Sequence, residues 1–345
     1  MEKQPIFSIG IPVYNAAKWL DLSFGSVFSQ SFTDYEIIAV NDGSSDNSLE
    51  ILKKFAADDR HIRIIDKANC GPAAARNTIM YHAKGQYIIF LDSDDAMCEE
   101  ALQKAYDAIT VHNCPDILHA GFIRVVLEAE TECPIPYPGD EYFADGISKD
   151  ERWAKMWLDG KTVDHICAKF FRTDFIRNSG LSMHIRLWAQ EDNEFLEKCY
   201  RKADSMAFGD FFAFRYYKQR ENSLSTAWSY KAVLGVLSRW ADFYQDTELM
   251  KLSPETKHRI DSSRTELLQQ LRAGTLSIAS KRPKEECFKL INLLYSYFGK
   301  DIEKLPVTEN GINGIIFRMY KIFGLKKTYK WLYAYLEKKG VVFKQ

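Results

Sequence analysis

The chain has 345 residues, of which 46% are hydrophobic and 27% are charged, and its formal net charge is −1. This composition is that of an ordinary globular protein, which excludes disordered and fibrous classes, and the near-zero charge excludes a partner bound by bulk electrostatics, such as nucleic acid. The N-terminal residues lack the apolar core of a secretory signal, and no stretch approaches about 18 consecutive apolar residues. We therefore expect a cytoplasmic protein without a membrane span.

Four apolar runs in the first 95 residues predict buried β-strands. They cover residues 6–13, 35–40, 62–65 and 87–91. Helical patterns separate them: Ser45 is predicted to cap the second helix with Asp46 in its first turn, and Pro72 is predicted to open the third. Near-continuous apolar strands that alternate with helices predict an α/β fold with a mostly parallel, Rossmann-like sheet covered by helices on both faces.

The pattern becomes more mixed after residue 95. A strand pair is predicted within 114–127, and the three prolines of 134–146 indicate a loop able to cover a site. Residues 147–228 combine short helices with an aromatic strand, whereas helical periodicity dominates beyond residue 230. We therefore predict one α/β domain at 1–228, followed by a C-terminal helical region at 229–345.

Polar side chains follow three of the predicted strands, at the point where each strand ends. Asn15 follows the first strand, Asp42 the second, and Asp92, Asp94 and Asp95 the fourth. Ligands of an open parallel sheet bind beyond the carboxyl ends of its strands. Asp42 alone is equally explained as a cap of the next helix, but three carboxylates in four residues repel one another unless a cation or hydrogen-bond donors compensate. Because Mg²⁺ and Mn²⁺ take carboxylate oxygens together with substrate phosphates, a metal site is predicted at this turn.

Four segments of the same region resemble motifs of glycosyltransferase family 2. They are Ile11-Pro12-Val13-Tyr14-Asn15, Val40-Asn41-Asp42-Gly43-Ser44-Ser45-Asp46, Asn69-Cys70-Gly71-Pro72-Ala73-Ala74-Ala75-Arg76-Asn77 and Phe90-Leu91-Asp92-Ser93-Asp94-Asp95. The family consists of inverting enzymes of the GT-A fold, and the resemblance is to members that build bacterial cell-surface polysaccharide. It implies that residues 1–228 are a GT-A catalytic domain, weakens after residue 95 and does not cover the last third of the chain.

The resemblance implies that the strand ends bind a nucleotide-sugar donor. Tyr14 would stack on the base, and Asp42 would accept the base's ring N–H, which suits uracil; the alternative for Tyr14 is a buried core aromatic. Asp92 would hold the ribose or the metal, and Asp94 the metal, Mn²⁺ or Mg²⁺, that bridges both phosphates. The implied donor-binding set is Pro12, Tyr14, Asn15, Asp42, Arg76, Asp92, Ser93 and Arg220. For the two arginines, the alternatives are a surface helix charge and a surface salt bridge.

A second resemblance, to the family's Glu-Asp motif, implies where the acceptor is activated. Glu191 and Asp192 stand at the start of a predicted helix, and Asp192 is the implied base for the acceptor hydroxyl. The alternative is a pair of first-turn acids favoured by the helix dipole. A glycine often precedes this pair in the family, whereas this chain has Gln190. Lys169 also matches a recurring family pattern, Lys-Φ-Φ-Arg (Φ denotes an apolar residue), to which no role is assigned.

These features predict an inverting, metal-dependent hexosyltransferase. It would move a single sugar from a nucleotide diphosphate donor, expected to be a UDP-sugar, to a hydroxyl of a glycan or lipid-linked saccharide. One alternative is a nucleotide-sugar-binding protein that has lost turnover. Another is a nucleotidyltransferase of related fold, which would carry a Gly-rich, basic loop where this chain has Tyr14-Asn15-Ala16-Ala17.

The C-terminal tail differs in charge from the rest of the chain. Residues 318–345 carry a net charge of +7, which leaves −8 for the remainder. Apolar and aromatic residues recur at helical spacing among these lysines, a pattern typical of an interfacial helix. We therefore predict peripheral contact of 315–345 with an anionic membrane surface; the alternative is a helix packed on the catalytic domain. The seven scattered cysteines, without a C-x-x-C pair, suit a reducing compartment.

Overall fold

The computed structural model describes residues 4–59, 61–126, 131–136, 147–159, 165–185, 191–218 and 246–265. The chain forms two compact units, Met1–Ala227 and Trp228–Gln345. Within the described ranges, the first unit contains one nine-stranded sheet and seven α-helices.

The first half of the sheet is parallel. Its strands are β1 (Phe7–Val13), β2 (Tyr35–Asp42), β3 (Ile62–Lys67) and β4 (Tyr87–Phe90), connected through α1 (Leu20–Phe28), α2 (Ser48–Asp58) and α3 (Pro72–His82). They lie in the order β3-β2-β1-β4, and Phe7 of β1 stands opposite both Tyr35 of β2 and Tyr87 of β4. Strands β1, β2 and β4 therefore end at one edge of the sheet, where the loops that follow them meet.

The second half of the sheet mixes strand directions. In chain order its elements are β5 (Ala96–Met97), α4 (Ala101–Val111), β6 (Ile117–Val126), β7 (Thr131–Ile135), α5 (Lys149–Leu158), a 3-10 turn (Ile166–Ala168), β8 (Lys169–Arg172), α6 (Thr173–Asn178), α7 (Glu191–Lys202) and β9 (Met206–Lys218). The order continues β4-β8-β6-β9-β5, with β7 beside β6. Strand β8 is antiparallel to both β4 and β6. The α/β fold class predicted from the sequence is confirmed.

Helix α3 packs closely against β1. A Cβ atom added at Gly10 of β1 would lie 2.3 Å from Cγ2 of Ile79, so a larger residue at Gly10 would push the helix away. The small residues Ala73 and Ala75 are buried on the same helix, as is Arg76. Tight packing of α3 thus fixes Arg76 relative to the ends of the parallel strands.

The start of α2 differs from the prediction. The helix begins at Ser48 with Asn47 at the N-cap position, so the assignment of Ser45 as the cap is wrong. The Asp46 carboxylate accepts hydrogen bonds from Ser48 N at 3.0 Å and from Ala17 N at 3.0 Å. Asp46 therefore fastens the loop that precedes α2 and does not lie in its first turn. Pro72 does occupy the first turn of α3, as predicted.

The strand pair predicted within 114–127 is also corrected. A single strand, β6, occupies most of residues 114–127. Its hairpin partner β7 covers Thr131–Ile135 and includes Pro134 of the predicted loop. Strand β7 pairs only with β6 among the described strands, and an edge strand tolerates a proline because its missing N–H breaks no ladder. Residues 137–146 of the predicted loop lie outside the described residues.

The second unit is described only at residues 246–265. Helical residues are 246–249 and 254–265, and Leu252, Thr256 and Ile260 are buried. Within the ranges that the structure describes, no helix combines the length and apolar character needed to cross a bilayer. The basic tail at 315–345 lies outside these ranges, so its membrane contact stays a prediction.

Candidate active site

The loops after β1 and β2 are joined by hydrogen bonds. Asn15, at a positive φ of 49°, donates its backbone N–H to Ser44 Oγ (3.0 Å) and accepts from Ser45 N at Oδ1 (2.8 Å). Ala16 N donates to Ser48 Oγ at 2.9 Å. Asn15 thus connects two loops at the strand ends, a contact that the motif alone did not reveal.

Tyr14 and Pro12 lie at the same edge. Tyr14 is 54% exposed, which excludes the alternative of a buried core aromatic and leaves its ring available for stacking. Pro12 is half-buried in β1, opposite Val40 of β2. Base stacking by Tyr14 stays a prediction, and the exposed ring is compatible with it.

Asp42 occupies a cradle of donors at the end of β2. Its Oδ1 accepts from Lys67 Nζ at 2.5 Å and from Cys70 N at 3.0 Å, and its Oδ2 accepts from Gly71 N at 2.8 Å. The residue is 3% exposed. Asp42 therefore fixes the loop that leads into α3, and most of its acceptor capacity is already used. Its predicted bond to a base N–H would need the remaining lone pair.

The carboxylates after β4 sit on a tight turn. Asp95 N donates to Asp92 O at 3.0 Å, and Asp95 Oδ1 accepts from Tyr217 N of β9 at 3.1 Å. Asp95 and Ser93 are buried, whereas Asp92 and Asp94 are half-buried. Asp95 thus ties the turn to β9, and Asp92 and Asp94 remain partly open to solvent.

These two carboxylates fit a divalent cation that takes its other ligands from a diphosphate. Carboxylate oxygens suit Mg²⁺ and Mn²⁺, which are often held by one or two carboxylates plus substrate phosphates. The described residues contain no group of three or more His, Cys, Asp or Glu side chains that would hold a metal without a substrate. Asp92 and Asp94 are thus compatible with a cation that also takes substrate phosphates as ligands.

Arg76 joins two carboxylates from distant parts of the chain. Its Nη2 donates to Asp92 Oδ1 at 2.8 Å, and its Nη1 donates to Asp192 Oδ1 at 2.9 Å. Arg76 is 5% exposed, so the alternative of a surface helix charge is excluded. Burial lowers the pKa of a guanidinium, but the carboxylates of Asp192 and Asp92 raise the pKa of Arg76 above its usual value. Arg76 is therefore charged at every accessible pH.

The Glu-Asp pair opens α7, as the motif predicts. Asp192 has a side chain that is 27% exposed, and its Oδ1 accepts a hydrogen bond from Arg76 Nη1 at 2.9 Å. Glu191 is buried, with Oε1 4.0 Å from Arg76 Nη1, while its Oε2 has no hydrogen-bond partner among the described residues. Burial raises the pKa of Asp192 to about 6, against the opposing effect of Arg76. Asp192 is thus a carboxylate of raised basicity that is still ionised at neutral pH.

Lys169 supplies a second buried positive charge. It begins β8, is 1% exposed, and its Nζ donates to His165 O at 2.7 Å. Burial and the Lys169 charge lower the pKa of His165 to about 4 and that of His119 well below its usual value, so both imidazoles are neutral at physiological pH. The charge of Lys169 also favours the ionised form of Asp192. The motif Lys-Φ-Φ-Arg therefore places a cation in the electrostatic surroundings of the predicted base.

The structure brings together most of the predicted site. Asp92, Asp192, Glu191 and Arg76 form one cluster, and the loops bearing Asn15 and Asp42 lie at the same sheet edge. Arg220 lies outside the described residues, so its role in donor binding stays a prediction. The contact of Arg76 with Asp192 was not anticipated, because nothing in the sequence near Arg76 indicates a partner 116 residues away.

Residues 8–124 match the family model described as glycosyl transferase family 2. This part of the chain is similar to glycosyltransferase family 2. The matched region includes Asp42, Arg76, Asp92 and Asp94, whereas Asp192 lies beyond it. The resemblance to this family that the four motifs indicate is thus confirmed.

Known proteins similar to this chain include both sequence relatives and solved structures. The uncharacterized glycosyltransferase EpsJ of Bacillus subtilis is 28% identical over 223 residues, which are 64% of this chain and 63% of EpsJ. TarS of S. aureus, residues 1–349, solved in complex with UDP-GlcNAc, has a TM-score of 0.64 at 20% identity and covers 96% of this chain and 92% of that one.

A second solved structure differs in its ligands. The mannosyltransferase PcManGT from Pyrobaculum calidifontis, in complex with GDP-Man and Mn²⁺, has a TM-score of 0.52 at 12% identity, covering 96% of this chain and 84% of that one. Together the two solved structures confirm the GT-A fold. The chain spans less than two thirds of the length of EpsJ and smaller shares of other curated relatives.

Proposed function

We propose that this protein is an inverting glycosyltransferase that moves a single hexosyl unit from a UDP-sugar to a hydroxyl of a glycan or lipid-linked saccharide, as in bacterial surface polysaccharide synthesis. One observation carries the proposal: the strand-end carboxylate Asp92 and the helix-start carboxylate Asp192 contact the same guanidinium, at 2.8 and 2.9 Å. A donor-side group and an acceptor-side group thus lie close enough for one transfer step. The complex of TarS with UDP-GlcNAc supports a UDP-sugar as the donor class.

The proposed reaction is a direct displacement. Asp192 accepts the proton of the acceptor hydroxyl, the hydroxyl oxygen forms a bond to the anomeric carbon, and the bond from that carbon to the diphosphate breaks. The nucleoside diphosphate leaves with the electron pair, and the configuration at the anomeric carbon inverts. On the donor side, Tyr14 stacks on the base, Asn15 holds the two base-side loops together, and Asp42 maintains the loop into α3.

A divalent cation is proposed at Asp92 and Asp94. When bound, Mn²⁺ or Mg²⁺ neutralises charge that develops on the departing diphosphate. Asp92, whose Oδ1 accepts from Arg76, and Asp94, the half-buried carboxylate two residues later, would hold this cation. Mn²⁺ in the complex of PcManGT supports this choice of cation.

A donor screen tests the proposed function. The full chain is incubated with UDP-, GDP- and dTDP-sugars in Mn²⁺, and release of nucleoside diphosphate is measured. We expect hydrolysis of at least one UDP-sugar, and loss of that activity when the metal is chelated. A chain that binds UDP but releases none from any donor would be a binding protein, and release of pyrophosphate from a sugar phosphate and a nucleoside triphosphate would indicate a nucleotidyltransferase.

The rate is expected to fall below pH 6. Burial raises the pKa of Asp192 to about 6, and a general base works only when deprotonated, so kcat/KM should drop about tenfold per pH unit below that value. The charged groups that act on Asp192 are Arg76, Glu191, Asp92 and Lys169. The measurement is kcat/KM for the active UDP-sugar between pH 4.5 and 8.5 at saturating Mn²⁺.

A parallel series of UDP affinities separates this effect from donor binding. The neutral imidazole of His165, whose pKa burial lowers to about 4, should not contribute near pH 6. A rate that stays constant down to pH 4.5 would contradict Asp192 as the base. A fall that UDP affinity follows in parallel would place the titrating group on the donor side.

The basic tail is proposed to attach the protein to the inner face of the cell membrane. Replacing Lys326, Lys327 and Lys330 with Gln in the full chain should weaken binding to anionic vesicles, since a lysine near such a surface contributes about 1 kcal/mol. The matched control replaces the exposed lysines Lys53, Lys54 and Lys104. Co-sedimentation with phosphatidylserine vesicles at low and high salt measures both. Equal binding by both variants and the wild type would rule out the tail as the contact.

A further inference from the structure

We propose that Arg76 is the positioning residue for the general base: its guanidinium holds Asp192 by one carboxylate oxygen and anchors it to Asp92 on the donor side. This inference rests on the proposed function, since it concerns the base of that reaction. It goes beyond the donor contact that the family resemblance implies for Arg76. A residue that positions the base affects kcat, whereas a residue that binds the donor affects UDP affinity.

The geometry favours positioning over a purely donor-binding role. Arg76 is buried, and both of its terminal nitrogens already donate to carboxylates. Its Nε is buried and has no hydrogen-bond partner among the described residues. A guanidinium is a rigid planar fork, so fixing one arm on Asp92 also fixes the direction of the arm that reaches Asp192.

The contact uses one oxygen of the base. Arg76 Nη1 donates to Asp192 Oδ1, which leaves Oδ2 to accept the proton of the acceptor hydroxyl. A base whose side chain is oriented by a third group follows the same logic as a nucleophile–base–orienter triad. Because the base is also partly desolvated and has Glu191 beside it, the Arg76 charge opposes protonation and keeps Asp192 available.

Arg76 is itself held in place from the protein side. Helix α3 packs against β1 with Ile79 close to Gly10, and its N-terminus follows the loop that Asp42 fastens through Cys70 N and Gly71 N. The first turn of α3 is thus fixed at the same sheet edge as the donor loops. Through its hydrogen bond to Asp192, Arg76 holds the first turn of α7 in a fixed position relative to that edge.

The test is Arg76→Lys in the full chain, which keeps the charge but removes the fork. With the active UDP-sugar and Mn²⁺, kcat is expected to fall about 10²-fold, the typical cost of a base displaced by about 1 Å, while UDP affinity measured by calorimetry stays close to the wild-type value. The matched control is Arg172→Lys. This variant disturbs the contact of the Arg172 guanidinium with Asp116. Arg172 lies opposite Tyr87 at the start of β4, whereas Asp92 follows the end of that strand. The value of kcat should therefore be nearly unchanged.

A double-variant cycle measures whether the effect of Arg76→Lys on kcat depends on Asp192, which distinguishes a positioning role from a purely structural one. In an Asp192→Asn background the base is already absent, so Arg76→Lys should lower kcat little further. Should Arg76→Lys fail to fold, Arg76→Gln, which keeps a planar donor, replaces it in both measurements.

Four outcomes distinguish failure of the positioning role from failure of the proposed function. Additive losses in the double variant, or a loss of UDP affinity with kcat unchanged, would show that Arg76 binds the donor only and would overturn the inference. Absence of turnover in the wild type would instead reject the proposed function. A kcat loss confined to variants that retain Asp192 supports the positioning role.

Discussion

Asp192→Asn should lower turnover by roughly 10²–10⁴-fold, the range that removal of a general base produces. Asparagine has nearly the same shape as aspartate, and its side-chain oxygen can still accept the hydrogen bond from Arg76 Nη1 that Asp192 Oδ1 accepts at 2.9 Å. The site should therefore keep its geometry and lose only the ability to take a proton. The measurement is kcat for the active UDP-sugar at pH 7.5, together with UDP affinity, which should be close to that of the wild type.

The control for this substitution addresses the alternative reading of Asp192 as a first-turn acid. Asp174 is an exposed aspartate in the first turn of α6, so Asp174→Asn removes a comparable helix-dipole interaction. Its turnover should be unchanged. Near-normal turnover in Asp192→Asn would contradict the assignment and move the role to Glu191, whose Oε2 is buried without a partner among the described residues.

The parallel half of the fold was predictable because burial on both faces leaves a direct sequence signal. Strands β1, β2 and β4 are buried at nearly every position and appear in the sequence as unbroken apolar runs. The polar residues that interrupt these runs mark the strand ends. For that reason the positions of Asn15, Asp42 and Asp92 at one sheet edge follow from the pattern alone.

The corrected elements lack such a signal. Whether Ser45 or Asn47 precedes α2 depends on Asp46, whose carboxylate accepts from both Ser48 and the distant Ala17. Local capping preferences cannot anticipate a contact across 29 residues. Likewise, Pro134 favours a loop locally, and only the edge position of β7 permits it in a strand.

The roles of Arg76 and Asp42 illustrate what tertiary structure adds. The motif around Arg76 identifies it as a candidate donor ligand, but its two partners lie 16 and 116 residues away. Asp42 stands at a strand end as predicted, yet its carboxylate is mostly used by Lys67, Cys70 and Gly71. In both cases the sequence indicates that a charged group is present, whereas its partners depend on long-range packing.

Asp94→Ala should weaken UDP binding in Mn²⁺ by about 100-fold or more. Loss of a group that merely supports a metal ligand typically costs 10–100-fold in metal affinity or activity, and Asp94 is proposed as a ligand itself. Because the cation would be shared between Asp92, Asp94 and the diphosphate, losing one carboxylate weakens UDP and metal binding together. The measurement is calorimetry of UDP binding to the full chain with Mn²⁺ present.

The decisive comparison repeats the titration in EDTA. If Asp94 acts only through the cation, wild type and Asp94→Ala should bind UDP equally weakly without metal, since the substitution leaves the proposed base-side residues Tyr14 and Asn15 unchanged. Asp107→Ala, on the exposed face of α4, provides a matched loss of a carboxylate away from the site and should bind as the wild type does. Equal affinity of Asp94→Ala and wild type in Mn²⁺ would exclude Asp94 as a ligand. A loss that persists in EDTA would mean that Asp94 supports the turn after β4 itself, and the cation would then depend on Asp92.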